Sequence, residues 1–201
     1  MTEQDQALLA RRPDLAAIAQ WVAPDSRVLD LGCGDGMLLH YLWKERRAYG
    51  YGIEIDDAKV AACVRNDVNV LQMNLESGLS AFRDDSFDFV ILSQTLQAMH
   101  RSENIVREML RVGREAIVSF PNFGHWASRL QVLAGRMPVS SDLPHAWYDT
   151  PNVHLCTIKD FEDLARKLGV RILERVVLHR GRPVSVMPNL LGSLAVYRCT
   201  D

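Results

Sequence analysis

A glycine-rich segment directly after a short apolar run is the feature that most constrains the fold of this 201-residue chain. Val28–Leu31 has the pattern of a buried strand, and Gly32, Gly34 and Gly36 follow it at alternate positions. Glycine has no Cβ and adopts positive φ, so such a turn lets a ligand lie directly on the backbone. An amphipathic helix over about Gly36–Glu45 comes next and directs its free N–H groups at the same place. This order predicts the nucleoside-binding unit of a Rossmann-type sheet.

A carboxylate at the end of the second predicted strand supports this prediction. Glu54 supplies two oxygens that can accept hydrogen bonds from the two hydroxyls of a ribose. A dinucleotide site would need a third glycine at position 37, which is Met37, so an NAD-dependent oxidoreductase is the weaker alternative. The pattern Asp-x-Gly-x-Gly-x-Gly that starts at Asp30 instead resembles the class I S-adenosylmethionine (SAM) dependent methyltransferases. Glycines at a strand end that form only a tight turn remain the structural alternative.

Composition limits the other function classes. Apolar residues make up 48% of the chain and charged residues 24%, with a net charge of −2, as in an ordinary globular domain without a basic surface for nucleic acid. The four cysteines lack C-x-x-C spacing, so neither a zinc site nor a disulfide framework is predicted. The chain shows no signal peptide and no long apolar run, so we expect a cytoplasmic protein that does not insert into membranes.

Strands and helices alternate along most of the chain, which predicts an α/β fold with a doubly wound, mostly parallel sheet. We expect one domain over residues 1–201, interrupted by a long excursion at about 121–156 that holds one helix near His125–Leu133. Residues 1–11 are polar and are not expected to form a stable element, and 180–192 is expected to be a surface loop. The last two strands, with no helix between them, are expected to pair antiparallel. The predicted strands are Arg27–Leu31, Ala48–Ile55, Val68–Met73, Phe87–Ser93, Glu115–Phe120, Arg171–Leu178 and Leu194–Cys199.

Further motifs resemble the same superfamily and, more narrowly, one family within it. Ser86–Val90 resembles the fourth-strand motif of class I methyltransferases, which implies a Rossmann-like sheet of seven strands with the last one antiparallel. Several longer segments, which together span nearly the whole chain from residue 13, resemble the methionine biosynthesis protein MetW family. These segments are Asp30–Gly36, Gln94–Ala98, Met109–Arg114, Phe120–Trp126, Gly135–Val139, Trp147–Asn152 and Pro188–Gly192.

The resemblance to MetW implies an unusual activity. Proteins of this family have a SAM-methyltransferase fold but are associated with homoserine O-acylation, together with a separate acyltransferase chain. The first hypothesis is therefore a SAM-binding protein of methionine biosynthesis that acts with, or regulates, a homoserine O-acyltransferase. The alternative is an active SAM-dependent methyltransferase on an unidentified small molecule. The sequence shows no motif with which the chain could acylate homoserine by itself, because it lacks the nucleophile motif G-x-S-x-G.

Ligands of a doubly wound sheet bind at the carboxyl ends of its strands, so four segments should meet there around SAM or its product S-adenosylhomocysteine. Asp30 is expected either to contact the methionyl ammonium or to accept hydrogen bonds from the turn amides. Asn74 replaces the acid that many relatives place opposite the adenine amine, and a plain turn is its alternative role. Ser93 and Thr95 lie where the methyl would point, or cap the next helix. The predicted cofactor-binding residues are Asp30, Gly32, Cys33, Gly34, Gly36, Glu54, Ile55, Asn74, Leu75, Ser93 and Gln94.

Catalytic groups are harder to assign from the sequence. The SAM sulfonium is already activated, so an enzyme supplies alignment and, for some acceptors, a base. His100, His125 and Tyr148 are weak candidates for that base, and each has a structural role as its more common alternative. No cluster has the spacing of a metal site. Cys33 lies at a helix N-terminus, a position that can lower the pKa of a thiol.

Overall fold

The computed structural model describes residues 3–201, with side chains from Ala7 onward. Within this range the chain alternates between strands and helices, as the sequence predicts. The helices are α1 (Glu3–Arg11), α2 (Pro13–Trp21), α3 (Met37–Arg46), α4 (Asp57–Arg65), α5 (Ser102–Val112), α6 (Trp126–Leu133), α7 (Ile158–Leu168) and α8 (Pro188–Leu191). The strands are β1 (Arg27–Leu31), β2 (Tyr49–Glu54), β3 (Val70–Gln72), β4 (Phe87–Ser93), β5 (Gly113–Pro121), β6 (Arg171–His179), β7 (Arg182–Pro183) and β8 (Leu194–Thr200).

All of these strands form one sheet in the order β3-β2-β1-β4-β5-β8-β6-β7. The pairs from β3 to β5 are parallel, and β8 runs antiparallel between β5 and β6. The expected α/β fold with an antiparallel final strand is therefore confirmed. The described part of the chain has eight strands rather than the seven that the resemblance implies, because β7 adds two residues at the edge beside β6.

The central strands are buried on both faces, which explains their continuous apolar sequences. One face packs against α5 and α7 through side chains such as Ile105, Met109 and Phe161, and the other packs against α2 and α3 through Ile18 and Leu42. The parallel arrangement places the ends of β1, β2, β3 and β4 at one edge. That edge is the place where the predicted site residues follow their strands.

Two expectations about irregular segments are wrong. Residues 1–11 were expected to form no stable element, but α1 covers Glu3–Arg11, because Leu8 and Leu9 pack against the core beneath it; residues 1–2 lie outside the described range. The predicted surface loop 180–192 contains β7 and the short helix α8, which begins at Pro188. Proline at the first helical position is compatible with this start. The single helix expected near His125–Leu133 is confirmed as α6.

Candidate functional site

The glycine turn after β1 has the left-handed backbone that its sequence predicts. The φ angles are 72° at Gly32, 61° at Gly34 and 78° at Gly36. A Cβ added at Gly32 would lie 2.9 Å from Oγ1 of Thr95, so this glycine is needed for packing. A Cβ added at Gly34 would meet no described atom within 4 Å. The backbone at Gly34 therefore borders open space, where a ligand can approach it.

Glu54 lies at the end of β2 and faces this turn. Its side chain is 6% exposed, and Oε2 accepts a hydrogen bond of 3.0 Å from the Gly34 N–H. Oε1 accepts from the N–H groups of Ile55 at 2.8 Å and Asp56 at 3.1 Å. A carboxylate has about four acceptor positions, so these bonds leave about one free. Holding both hydroxyls of a ribose requires the bond from Gly34 to open or to be shared.

Asp30 is a buried carboxylate without full hydrogen bonding. It is 2% exposed, and its Oδ1 has no hydrogen-bond partner among the described residues. Burial raises the pKa of Asp30 to about 7; Arg12 opposes this rise, while Glu54 and Asp14 add to it. The turn amides of Gly32 and Cys33 donate instead to the Ile53 carbonyl, at 2.8 and 3.0 Å. The alternative role of Asp30 as their acceptor is therefore wrong, and its Oδ1 is a buried acceptor that the described residues leave without a donor.

Arg12 is a residue of this edge that the sequence reasoning missed. Its Nε and Nη2 donate to the two carboxylate oxygens of Asp14 at 3.0 and 2.8 Å, and Nη2 also donates to Ser93 Oγ at 3.1 Å. Asp14 is fully buried and accepts a further bond of 2.8 Å from Ser119 Oγ on β5. This network holds the start of α2 over the ends of β4 and β5. An arginine eighteen positions before the glycine motif has no periodic signature, so no sequence pattern pointed to it.

The residues after β4 are held by backbone contacts. Gln94 has φ 51° and donates its N–H to the carbonyl of Ser119 at 2.8 Å and to its Oγ at 3.1 Å. Thr95 Oγ1 donates to the Ser93 carbonyl at 3.1 Å and makes no side-chain cap to the following 3-10 turn. The expected capping role is therefore wrong for Thr95, which packs against Gly32 instead.

The end of β3 joins the same edge through the backbone. The N–H of Met73 donates to the Glu54 carbonyl at 3.1 Å. Asn74 Oδ1, however, accepts from the N–H of Glu76 at 3.0 Å and caps the 3-10 turn Leu75–Ser77. The plain-turn alternative for Asn74 is therefore present in the structure, and contact with an adenine amine would use its second acceptor position. Leu75 is half-buried against the core, and Ile55 is exposed.

The environment of the Cys33 thiol differs from the one that the sequence predicts. Its side chain is buried, with Sγ 3.7 Å from Sγ of Cys63, and both thiols are free. Burial raises the pKa of the Cys33 thiol, and the nearby Asp30 carboxylate adds to the effect. The lowered pKa that its helix-terminal position indicated is therefore wrong, because desolvation outweighs the helix dipole.

Comparison with known proteins identifies the family. The family model described as methionine biosynthesis protein MetW matches residues 12–199. The chain belongs to the MetW family.

A curated relative of this MetW chain is the bifunctional methionine biosynthesis protein MetXA/MetW of Rhodopirellula baltica. The two are 39% identical over 173 residues, which is 81% of this chain. This chain spans only 28% of the length of that relative.

Solved structures with the same fold include two SAM-dependent methyltransferases. The one from Mesorhizobium loti has a TM-score of 0.69 at 17% identity, with 96% of the MetW chain and 98% of the other chain covered. The TehB-like one from Corynebacterium glutamicum has a TM-score of 0.63 at 16% identity, with coverage of 99% and 95%. The [4+2]-cyclase SpnF has a TM-score of 0.68 at 18% identity, with coverage of 98% and 82%. The fold is therefore that of the class I methyltransferases, and it also occurs in the [4+2]-cyclase SpnF.

The three candidate bases of this MetW chain do not meet at the glycine turn. His100 is exposed; its N–H donates to Glu76 at 2.7 Å, and it lines a separate cavity of about 350 Å³. Tyr148 is 75% exposed, with its ring edge-on to Trp147 at 5.8 Å between centroids. His125 is buried beside another cavity, of about 520 Å³, beyond the end of β5. None of the contacts described for residues 3–201 joins these side chains to Gly34 or Glu54.

Two of the motifs that resemble MetW meet in the structure at Asn122. This side chain is 2% exposed, and its Nδ2 donates to the carbonyls of Asn189 at 3.2 Å and Gly192 at 2.7 Å. Its Oδ1 accepts from the N–H groups of Gly124 at 3.0 Å and Ile158 at 3.2 Å. Asn122 therefore ties the segment after β5 to α8 and to the start of α7.

No described group of three or more His, Cys, Asp or Glu side chains in residues 3–201 is arranged to hold a metal ion. Over the same range, no helix combines the length and apolar character needed to cross a bilayer.

Proposed function

We propose that this MetW chain binds SAM or S-adenosylhomocysteine at the glycine turn, with Glu54 on the ribose. The observation that carries this proposal is the buried Glu54 carboxylate beside the open space at Gly34. The free oxygen of Asp30 fits the methionyl ammonium. Arg12, which lies at the same edge and bonds to Ser93, fits the methionyl carboxylate. When bound, SAM would supply a methyl group activated by its sulfonium.

The variant Glu54→Gln tests this site. The amide keeps the shape of the side chain but replaces one acceptor oxygen by an NH₂ group. This group cannot accept a hydrogen bond from a backbone N–H or from a ribose hydroxyl. We expect at least about tenfold weaker binding of S-adenosylhomocysteine by calorimetry, equivalent to about 1.4 kcal/mol. Glu103→Gln, an exposed change on α5, serves as the control and should bind normally. Absence of binding of SAM and S-adenosylhomocysteine at millimolar concentration to the unchanged protein would refute the proposal.

We further propose that the chain acts in methionine biosynthesis together with a homoserine O-acyltransferase. The bifunctional name of the Rhodopirellula baltica relative supports this, because its MetW-like part occupies only 28% of a longer chain. The exposed aromatic pair Trp147 and Tyr148, within a segment that resembles the family, also favours contact with another protein. The cytoplasmic location expected from the sequence remains a prediction.

Co-purification and acylation assays test the partnership. We expect the chain to associate with the homoserine O-acyltransferase of the same organism and to change its acylation rate. Trp147→Ala should weaken the association, whereas Trp43→Ala, a 60% exposed tryptophan on α3, should not. No association together with an unchanged acylation rate would refute the partnership, independently of SAM binding.

The methyltransferase alternative is favoured by one observation, the intact glycine turn with the Glu54 carboxylate facing it. Incubation of the protein with radiolabelled SAM and metabolite fractions should transfer label if the alternative is correct. Absence of transfer while SAM binds would argue for the non-catalytic role.

A further inference from the structure

The cavity beyond the end of β5 is separate from the glycine turn. It is lined by Pro121 and Leu194 of the sheet, and by Pro13, the turn around Leu143 and Gly181. Neither the glycine turn nor Glu54 is part of its lining. Its volume of about 520 Å³ lies within the range of small-molecule sites.

Each of two histidines in the wall of this cavity has one ring nitrogen without a hydrogen-bond partner in the described part of the chain. The rings of His125 and His179 stack at 4.8 Å between centroids with an interplanar angle of 22°. His125 is 7% exposed. Within the described part of the chain, Nε2 of His125 and Nδ1 of His179 are buried and make no hydrogen bond. Buried ring nitrogens of this kind are rare in native proteins and call for a partner that the chain itself does not provide.

The charges around the two rings favour an anion. Arg11 of α1 and Arg180 after β6 line the cavity, against one lining carboxylate in the described chain, Asp142. Burial and the neighbouring His179 lower the pKa of His125, whereas Asp142 opposes the change. An imidazole ring has an N–H group that can donate a hydrogen bond to an entering anion.

We propose that this cavity binds a small carboxylate-bearing metabolite, with Arg11 and Arg180 attracting the carboxylate and the stacked pair of His125 and His179 supplying buried hydrogen-bonding groups. The proposal goes beyond the SAM site and does not depend on it, because none of the residues proposed to bind SAM lines this cavity. Glu54→Gln should therefore leave carboxylate binding intact even where it abolishes SAM binding.

Histidine side-chain NMR tests the proposal. Succinate and L-serine are the carboxylate probes, succinamide is the uncharged analogue of succinate, and inorganic phosphate tests for a general anion site. We expect at least one carboxylate to shift the ring signals of His125 and His179 saturably and to leave the exposed His145 unchanged.

Two variants separate recognition from folding. Arg180→Gln changes an exposed side chain and should weaken the carboxylate about tenfold without loss of thermal stability. His179→Gln should weaken carboxylate binding, whereas the exposed change His145→Gln should leave it unchanged. The proposal is overturned if neither carboxylate binds saturably, if succinamide binds as well as succinate, if phosphate binds better than both carboxylates, or if Arg180→Gln binds normally.

Discussion

Gly34→Ala is the substitution that most directly tests whether the glycine turn is a ligand site. Gly34 has φ 61°, and a Cβ there meets no described atom within 4 Å. The folded protein therefore bears only the cost of a left-handed alanine, about 1–2 kcal/mol. For a chain of this length, each kcal/mol lowers the melting temperature by about 2–4 °C.

The effect on a ligand should be much larger than the effect on folding. The added methyl occupies the open space beside the Glu54 carboxylate, where the ribose and methionyl groups would lie on bare backbone. We expect S-adenosylhomocysteine to bind at least about tenfold more weakly, which corresponds to about 1.4 kcal/mol or more. Calorimetry measures the affinity, and thermal unfolding without ligand measures the stability.

Gly169→Ala is the matched control. Gly169 ends α7 with φ 75°, and a Cβ there also meets nothing within 4 Å. The two variants should therefore lose similar stability, but only Gly34→Ala should lose affinity. Equal affinities in the two folded variants would refute the placement of the ligand on this turn.

Three further predictions concern polar side chains: the buried Asp30 and Asn122 and the partly exposed Arg12. The raised pKa of Asp30, about 7, means that the folded protein holds a proton that the unfolded chain releases between about pH 4 and 7. The free energy of unfolding should therefore fall across that window by a few kcal/mol, at about 1.4 kcal/mol per pKa unit. Urea unfolding of Asp30→Asn should show most of this fall removed. The same dependence of stability on pH in both proteins would contradict the prediction. Arg12→Gln should weaken S-adenosylhomocysteine but not methylthioadenosine, which has no carboxylate, and equal losses in calorimetry would show that Arg12 acts only on the fold. Asn122→Ala should cost about 2–4 kcal/mol in urea unfolding because it leaves buried backbone groups unpaired, and a loss below 1 kcal/mol would mean that water replaces the amide.

The sequence predicted the first half of the fold well because the signals for its strands, turn and helices are local. A strand, a left-handed glycine turn and a helix each have a pattern within a few residues, and the parallel sheet then brings Glu54 to Gly34. Arg12 could not be found in this way, since its position depends on how α2 packs across β4 and β5. The pKa of Cys33 was misjudged for a related reason: a helix terminus is visible in the sequence, whereas the burial that outweighs it is not.

The histidine pair was also beyond sequence reasoning. His125 and His179 lie on separate segments that meet only because β8 runs antiparallel between β5 and β6 and brings the end of β6 beside the end of β5. Nothing in the spacing of the six histidines of the chain indicates which two stack. The pattern correctly placed one of them after β5 and gave no reason to choose it over the others.

The motifs of this chain divide into two groups that serve different places. The motif shared with the wider superfamily, Asp30–Gly36, forms the turn at β1, and a fold of this kind occurs in methyltransferases and in a cyclase. The fold of this motif therefore does not indicate which reaction, if any, the chain catalyses. The motifs that resemble MetW more specifically, Phe120–Trp126 and Pro188–Gly192, meet instead at Asn122. Three residues of the first of these motifs, Asn122, His125 and Trp126, line the cavity of about 520 Å³ beyond the end of β5. The activity that distinguishes this family should accordingly depend on that cavity and the surface around it, and substitutions there should change function while SAM binding persists.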